Sequence, residues 1–369
     1  MEFKSRRKFV KNVVSTSAFF AIMNPLELLF SFKKAKVNSV SWNELIDWAR
    51  WCPSIHNLQP HKIKVISEHE ADLYYDPSRL LPVGDPDCVF ATVAMGVFIE
   101  HLSIAAGHHG AEVIVEEVFD PISTKYTSLT KFARLKIVDS NRKENLSRDL
   151  IKKRMTSRGH YNGKQISTEI LEKIKNQSNE FGHEFFHTFD DKLIREVIKM
   201  NQETLFEDLE SKENRNELHN LFRYTKEDAE IKKDGLWAKC MGFPGKLMRS
   251  VFVNHERWEK GVRRKLLSEY YENSFNGTST ICWIGGAFEN TNDWLNAGKM
   301  LARIWLLFTQ EGVYIHPFGS LITNDKAYAT INKLFSQAGQ DKKLWLIFRA
   351  GYSKEPARSY RLSTNEIII

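Results

Sequence analysis

The chain has 369 residues, 42% hydrophobic and 12% aromatic, which is enough to bury a substantial core in one large domain or two ordinary ones and excludes a disordered chain. Its net charge of +7 invites a nucleic-acid reading. Residues 1–36, however, carry eight Lys and Arg against Glu2 and Glu27, a local +6, so only about +1 is left for the rest and that reading loses its support.

In chain order, the first element is a charged start, Ser5-Arg6-Arg7-Lys8-Phe9-Val10-Lys11, followed by the uncharged, moderately apolar stretch Asn12 to Leu26. That is the layout of an export signal, and the pattern resembles the twin-arginine type, read by a machinery that moves folded proteins. The alternative is a basic tail before an amphipathic helix. No Ala-x-Ala site follows, so cleavage and retention as a membrane anchor both stay open. The expected location is periplasmic or membrane-associated. Beyond residue 36 no run of about 18 uncharged apolar residues occurs, and the body of the chain is expected to be soluble. Cys52, Cys88, Cys240 and Cys282 are widely spaced with no Cys-x-x-Cys, so they read as small buried hydrophobes.

Trp42 to Trp51 is predicted to be an amphipathic helix with Ser41 as N-cap and Glu44 completing a capping box, stopped by Pro53. Strands follow at His61 to Glu68 and near Ala71 to Tyr75, then a long, almost wholly apolar and therefore buried helix at Phe90 to His108. The plan then repeats. Gly96 is followed after fourteen residues by Gly110 and a Val/Ile strand, and Gly298 after fourteen by Gly312 and the strand Val313 to Ile315. A helix after Ser167, Thr168 to Gln177, echoes the one after Ser41. Two half-chains of similar plan suggest a duplicated unit. They differ mainly by an insertion, about 195–275, between the strand near His183 to Phe189 and the helix at Gly298. Polar at first, then aromatic through Trp237, Phe243 and Trp258, the insertion reads as helical hairpins, either a lid over a site or extra surface helices.

Several chemistries are excluded: there is no Gly-x-Gly-x-x-Gly, no P-loop, no His-Glu-x-x-His and no Gly-x-Ser-x-Gly. His108, His109 and His316 have no clustered companions and do not read as metal ligands. Three polar islands remain. Pro53 to Pro60 brackets Ser54, His56, Asn57 and Gln59, and its amides suit an edge of alternating N–H and C=O groups. Arg154-Met155-Thr156-Ser157-Arg158 sets two guanidinium groups around hydroxyls, a pattern that fits a phosphate dianion. Arg358-Ser359-Tyr360-Arg361 follows a strand at Leu344 to Ala350.

Taken together, the segment Ala49 to His61, the Arg154 to Arg158 cluster and the ending Gly351-Tyr352 to Arg361 resemble the motifs of the nitroreductase family of FMN oxidoreductases. Asn292 to Gly298 is similar to its long, single-chain Acg-type branch. The resemblance implies an α+β, nitroreductase-like fold in an internally duplicated chain resembling a fused dimer: a first half at 37–140, a second at 141–369 with the lid insertion, one flavin site, and a monomer. It implies that Arg154, Thr156, Arg158, Arg361 and Arg358 hold the phosphate, that Ser54, Asn57 and Gln59 lie along the ribityl chain and ring, and that the turn Pro317-Phe318-Gly319 offers a backbone N–H to flavin N5. Cys52, His61, Phe318 and, conservatively, Thr156 depart from the family pattern. The implied function is electron or hydride transfer through the flavin from a small-molecule donor to an electron-poor acceptor of nitroaromatic or quinone type, with no catalytic side chain assigned. The rival implication is a protein that sequesters FMN beneath the lid.

Overall fold

In a computed structural model, residues 40–141, 143–335 and 342–369 are described; the export-signal reading of residues 1–36 lies outside them. Helix α1 (Trp42–Ala49) buries Trp42, Leu45, Ile46 and Ala49, the set that an amphipathic pattern predicts. The expected capping box is not made. Ser41 occupies the N-cap without a side-chain bond, while Glu44 faces Arg148 at 2.7 Å and His109 at 3.2 Å. A charged neighbour from elsewhere in the chain outcompetes the local cap.

The strands β1 (His61–Val65) and β2 (Glu70–Tyr75) form a hairpin, and helix α2 (Val89–Gly107) leads to β3 (Ala111–Val118) and β4 (Thr130–Asp139). These strands make an antiparallel sheet in the order β1-β2-β4-β3. After a short α3 (Asp149–Lys153), helix α4 (Thr168–Glu180), capped by Ser167, enters β5 (Glu184–Thr188). The insertion then intervenes: α5 (Asp191–Asp208), α6 (Lys212–Leu221), β6 (Phe222–Arg223), α7 (Lys226–Lys232), β7 (Leu236–Trp237), α8 (Ala238–Met241), α9 (Gly245–Val253) and α10 (Gly261–Asn273). It is followed by β8 (Ile281–Gly286), α11 (Thr291–Gln310), β9 (Tyr314–Pro317), α12 (Ser320–Thr323), α13 (Asp325–Phe335), β10 (Lys343–Gly351) and α14 (Thr364–Ile367). The second sheet, also antiparallel, runs β5-β8-β10-β9.

The two sheets are copies in plan. Counted within each half, the order is first, second, fourth, third, and the long helix lies between the second and third strands both times. The α+β, internally duplicated architecture expected of a fused dimer is therefore present. In the first half four residues turn β1 into β2; in the second the insertion occupies that same connection. It is largely helical, with a core of its own around Phe206, Phe222, Leu236, Val251 and Phe252.

The repeated glycines mark the crossing of the long helices. A Cβ on Gly96 would collide with the Leu295 carbonyl oxygen, and one on Gly298 with that of Val93. Each clash partner lies three residues before the opposite glycine, a reciprocal contact such as a twofold axis produces. Only glycine lets the backbones approach so closely. Helix α2 is long and apolar enough to cross a membrane, but it is almost wholly buried against α11, α1 and β3, the mark of a core helix. Across the same crossing, Arg303 of α11 meets Glu100 of α2 at 2.5 Å and Glu144 at 2.8 Å.

After β10 the chain returns to the first half: Ile369 N–H donates to the Ile63 carbonyl (2.9 Å), Ile368 bridges to Ile63, and Leu362 N–H donates to Gln59 (2.9 Å). The second half thus lends its end to the first, a pairing that no local periodicity announces.

Candidate functional site

The tail and the loop before β1 meet the stretch after α3, and the three polar islands come together around a cleft of about 670 Å³, counted out to its open mouth. Ser54 and Asn57 line it from the first island, Arg154, Thr156 and Arg158 from the second, and Arg358 and Arg361 from the third. The remaining wall, Gly235 to Trp237 with Cys240 and Met241, belongs to the insertion.

The first island is held in a sparsely populated conformation. His56, Asn57 and Gln59 have φ of 46°, 58° and 53°, in the left-handed region that non-glycine residues rarely adopt. Hydrogen bonds over-determine it. Ser54 Oγ accepts from Gln59 N–H (2.9 Å), Asn57 Nδ2 donates to the Tyr360 carbonyl (3.0 Å), and Arg79 donates to the Leu58 carbonyl (2.9 Å). Asn57 Oδ1 is buried without a partner. Burial, reinforced by Arg158, pushes the His56 imidazole down to about 4, so it is neutral at pH 7.

The cationic side is more unusual. Arg154 is only 4% exposed, stacks over Trp305 at 4.5 Å, and leaves Nε and Nη1 unpaired. Burial, aided by repulsion from Arg361, Arg358 and Arg158, lowers its pKa to about 9. Arg361 donates to Ser359 Oγ (2.7 Å) and the Tyr360 carbonyl (3.0 Å), keeps an unpaired Nε, and is lowered to about 10, chiefly by burial. Arg158 and Arg358 are also lowered by burial, and Arg358 lies over Trp51 at 5.1 Å. Among the described residues none of the four forms a salt bridge with a carboxylate. Buried charge without a counter-charge is costly, and an anion bound beside these guanidinium groups would offset that cost.

Gln59 and the turn Pro317-Phe318-Gly319 are not among the residues that line the cleft. Gln59 is fully buried and does not line the cleft. Its Oε1 accepts from Leu362 N–H, and its Nε2 donates to the carbonyls of Asn57 (3.0 Å) and Lys233 (2.9 Å), so the amide fastens loop, tail and insertion to one another. The turn Pro317-Phe318-Gly319 does not reach the cleft either. Proline has no N–H, Phe318 N–H donates to the Ile347 carbonyl (2.9 Å), and the Phe318 ring is buried in the core beneath the second sheet. Gly319 is exposed at the start of α12. Strand register, not motif, decides where that N–H points.

Trp51, Trp237, Cys240 and Met241 also line the cleft, and no sequence motif announces them as wall residues. Trp237, just after the turn Asp234-Gly235 in the insertion's aromatic stretch, was the available signal. The tie-downs behind it are Asp234 with Arg79 (3.1 Å) and Arg223, and Lys233 with Glu366 (2.8 Å). Cys52 and His61 are core residues behind the cleft: Cys52 is pushed up to about 12 by burial, and His61 stacks on Phe98 at 4.1 Å.

No family model matches the chain, and no curated protein matches it. Among solved structures it is similar to a putative nitroreductase from Anabaena variabilis, at 10% identity over 85% of this chain and 87% of that one, with a TM-score of 0.48. It is also similar to a nitroreductase with bound FMN from Bacteroides fragilis, at 13% identity over 58% of this chain and 91% of that one, TM-score 0.33. A third is an FMN-dependent nitroreductase from Mycobacterium smegmatis solved in complex with NADPH, at 14% identity over 56% of this chain and 86% of that one, TM-score 0.28.

Proposed function

We propose that the cleft binds one FMN and that the protein is a nitroreductase-like flavin oxidoreductase. The observation that carries this reading is the convergence of Arg154, Arg158, Arg358 and Arg361, without a carboxylate among them, beside a strained loop that offers an unpaired amide oxygen at Asn57. The orphaned polar atoms fit the cofactor's chemistry. Guanidinium N–H groups and the Thr156 hydroxyl match a phosphate dianion, and Ser54 and Asn57 match hydroxyl and amide edges. FMN, when bound, supplies hydride and electron transfer. The chain's own residues bind its phosphate, orient the loop side and exclude water with Trp51 and Trp237. Phe318 N–H, engaged in the sheet, is not counted among the donors.

A second reading, retention of FMN without rapid turnover, is favoured by the insertion's ties to both loop and tail through Lys233 and Asp234, which close one side of the cleft as a lid would. Anaerobic addition of NADPH to protein loaded with FMN separates the two. Bleaching of the flavin band near ~450 nm within seconds supports the oxidoreductase; colour that persists supports retention; protein that takes up no FMN sinks both. We further propose that residues 1–36 direct twin-arginine export. The test is fractionation of cells expressing the full chain, where an Arg6→Lys, Arg7→Lys variant that still leaves the cytoplasm would overturn that route.

A further inference from the structure

Four large hydrophobic residues among those described are more than half exposed, and all belong to the insertion: Ile231 (77%), Val262 (74%), Val253 (60%) and Leu266 (56%). Three of them lie on one helical hairpin. Val253 ends α9, while Val262 and Leu266 stand at i and i+4 along α10, an exposed apolar pair; Tyr270, at i+8, packs on Phe243 and donates to the Gly242 carbonyl (2.9 Å). The opposite face is already used, since α9 and α10 contribute Met248, Val251, Phe252 and Leu267 to the insertion's core.

The same hairpin carries a concentrated charge. Residues 246–266 hold seven Lys and Arg against Glu256 and Glu259, a local +5. With +6 in residues 1–36 and +7 overall, everything outside these two segments sums to −4. Lys246, Arg249, Arg257, Lys260 and Arg263 are exposed and, among the described residues, form no ion pair; only Lys265 does, weakly, with Glu269 at 3.9 Å. Free cations interspersed with exposed aliphatic side chains are poorly suited to nucleic acid, which rewards charge and stacking but not Val and Leu. They match a surface that is anionic outside and apolar a few ångströms beneath.

We infer that the α9–α10 hairpin is a docking surface for an anionic lipid bilayer. Val253, Val262 and Leu266 enter the boundary between headgroups and acyl chains, and Lys246, Arg249, Lys260 and Arg263 engage the headgroups. The docking is peripheral and reversible, since a few aliphatic side chains cannot anchor a protein permanently. Because α8, directly before α9, supplies Cys240 and Met241 to the cleft, the lipid surface lies on the same inserted segment as one wall of the site.

The test is flotation of the full chain with vesicles of phosphatidylcholine alone and of phosphatidylcholine with phosphatidylglycerol, at low and high salt. The expected result is binding to the anionic vesicles, weakened by salt, with V262E/L266E lowering the partition coefficient about tenfold or more and K260Q/R263Q abolishing the preference for phosphatidylglycerol. Unchanged thermal melting of the variants verifies that the hairpin still folds. Equal binding by the parent and both variants would overturn the proposal and assign any vesicle binding to the basic residues 1–36. Binding to a DNA duplex but not to vesicles would overturn it in favour of nucleic acid. None of these readouts depends on FMN.

Discussion

Arg303 and Arg154 are the same side chain at nearly the same burial, 7% and 4% exposed, in opposite circumstances. Arg303 sits between two carboxylates, Glu100 and Glu144, and its pKa is raised despite burial. Arg154 has other arginines, an indole ring, the Cys52 thiol and His101 around it but no carboxylate, and its pKa falls to about 9, chiefly through burial. A buried arginine whose partners are all internal is a structural tie, here between the two long helices. One without internal partners is, on the proposed function, half of a binding site. Burial alone does not distinguish them; the census of counter-charges does.

The largest effect follows from breaking the tie. Arg303→Met leaves Glu100 and Glu144 buried without their cation, and the loss of one partner from a buried pair costs about 3–5 kcal/mol. Urea denaturation of the flavin-free protein should show that loss. A fall below ~1 kcal/mol would mean that the helix crossing at Gly96 and Gly298, not the ion triad, joins the halves.

Acid probes the other region. His61 and His101 lie close to the arginine cluster, and burial, followed by the charges of Lys62 and Arg154 respectively, holds each imidazole neutral down to about 3. Their unfolded pKa is near ~6.5. Below that value the unfolded chain takes up protons that the folded chain refuses, so stability declines as pH falls from about 6.5 towards 3 and is fully retained above 6.5. The slope is about 1.4 kcal/mol per pH unit for each histidine, or about 3 kcal/mol for the pair between pH 6.5 and 5. Urea midpoints across that range should show at least this decline, to which the likewise lowered His56 and His183 add, and His101→Phe should remove one histidine's share, about 1.4 kcal/mol per pH unit.

The duplication and the three polar islands are legible in the sequence. The two glycine spacings expose the duplication because close helix crossings and left-handed helix ends accept little else, and the arginine and hydroxyl islands stand out as donors suited to a phosphate. What could not be read was long-range. Gln59 is an amide that could serve a ligand or a loop with equal chemistry, and only the return of the tail to Leu362 and the docking of Lys233 settle it as a fastener. Whether Phe318 N–H is free depends on the register of β9 against β10. The failure of the Ser41 capping box has the same origin, since Arg148, more than a hundred residues away, claims Glu44.

The unpaired side of the comparison is tested by a substitution with two opposite expected signs. Arg154→Met removes a buried charge that nothing neutralises, so the flavin-free protein should be no less stable than the parent, while FMN affinity falls about 100-fold with the loss of charge-assisted bonds worth roughly 1.5–3 kcal/mol each. Fluorescence quenching titrations with FMN, set beside melting curves without it, read both signs. If Arg154→Met destabilises the flavin-free protein as strongly as Arg303→Met, the two arginines are alike and the cleft loses its main qualification.

Asn57 should give the smallest effect, and the most discriminating. Its Nδ2 holds the Tyr360 carbonyl at 3.0 Å while its Oδ1 is buried and unpaired, so one amide divides between a structural and an unfilled role. Asn57→Ala loses both, whereas Asn57→Asp keeps an oxygen in each position but removes the donor and adds a charge among the arginines. The alanine variant should lower FMN affinity about fivefold, or ~1 kcal/mol, the ordinary worth of one neutral hydrogen bond. The aspartate should lower it further, because a carboxylate beside Arg154 and Arg361 supplies internally the counter-charge that the phosphate would otherwise bring. If Asn57→Asp instead binds FMN as well as the parent, the cationic cluster does not discriminate between a protein carboxylate and a ligand phosphate, and the distinction drawn between Arg154 and Arg303 fails at the site itself.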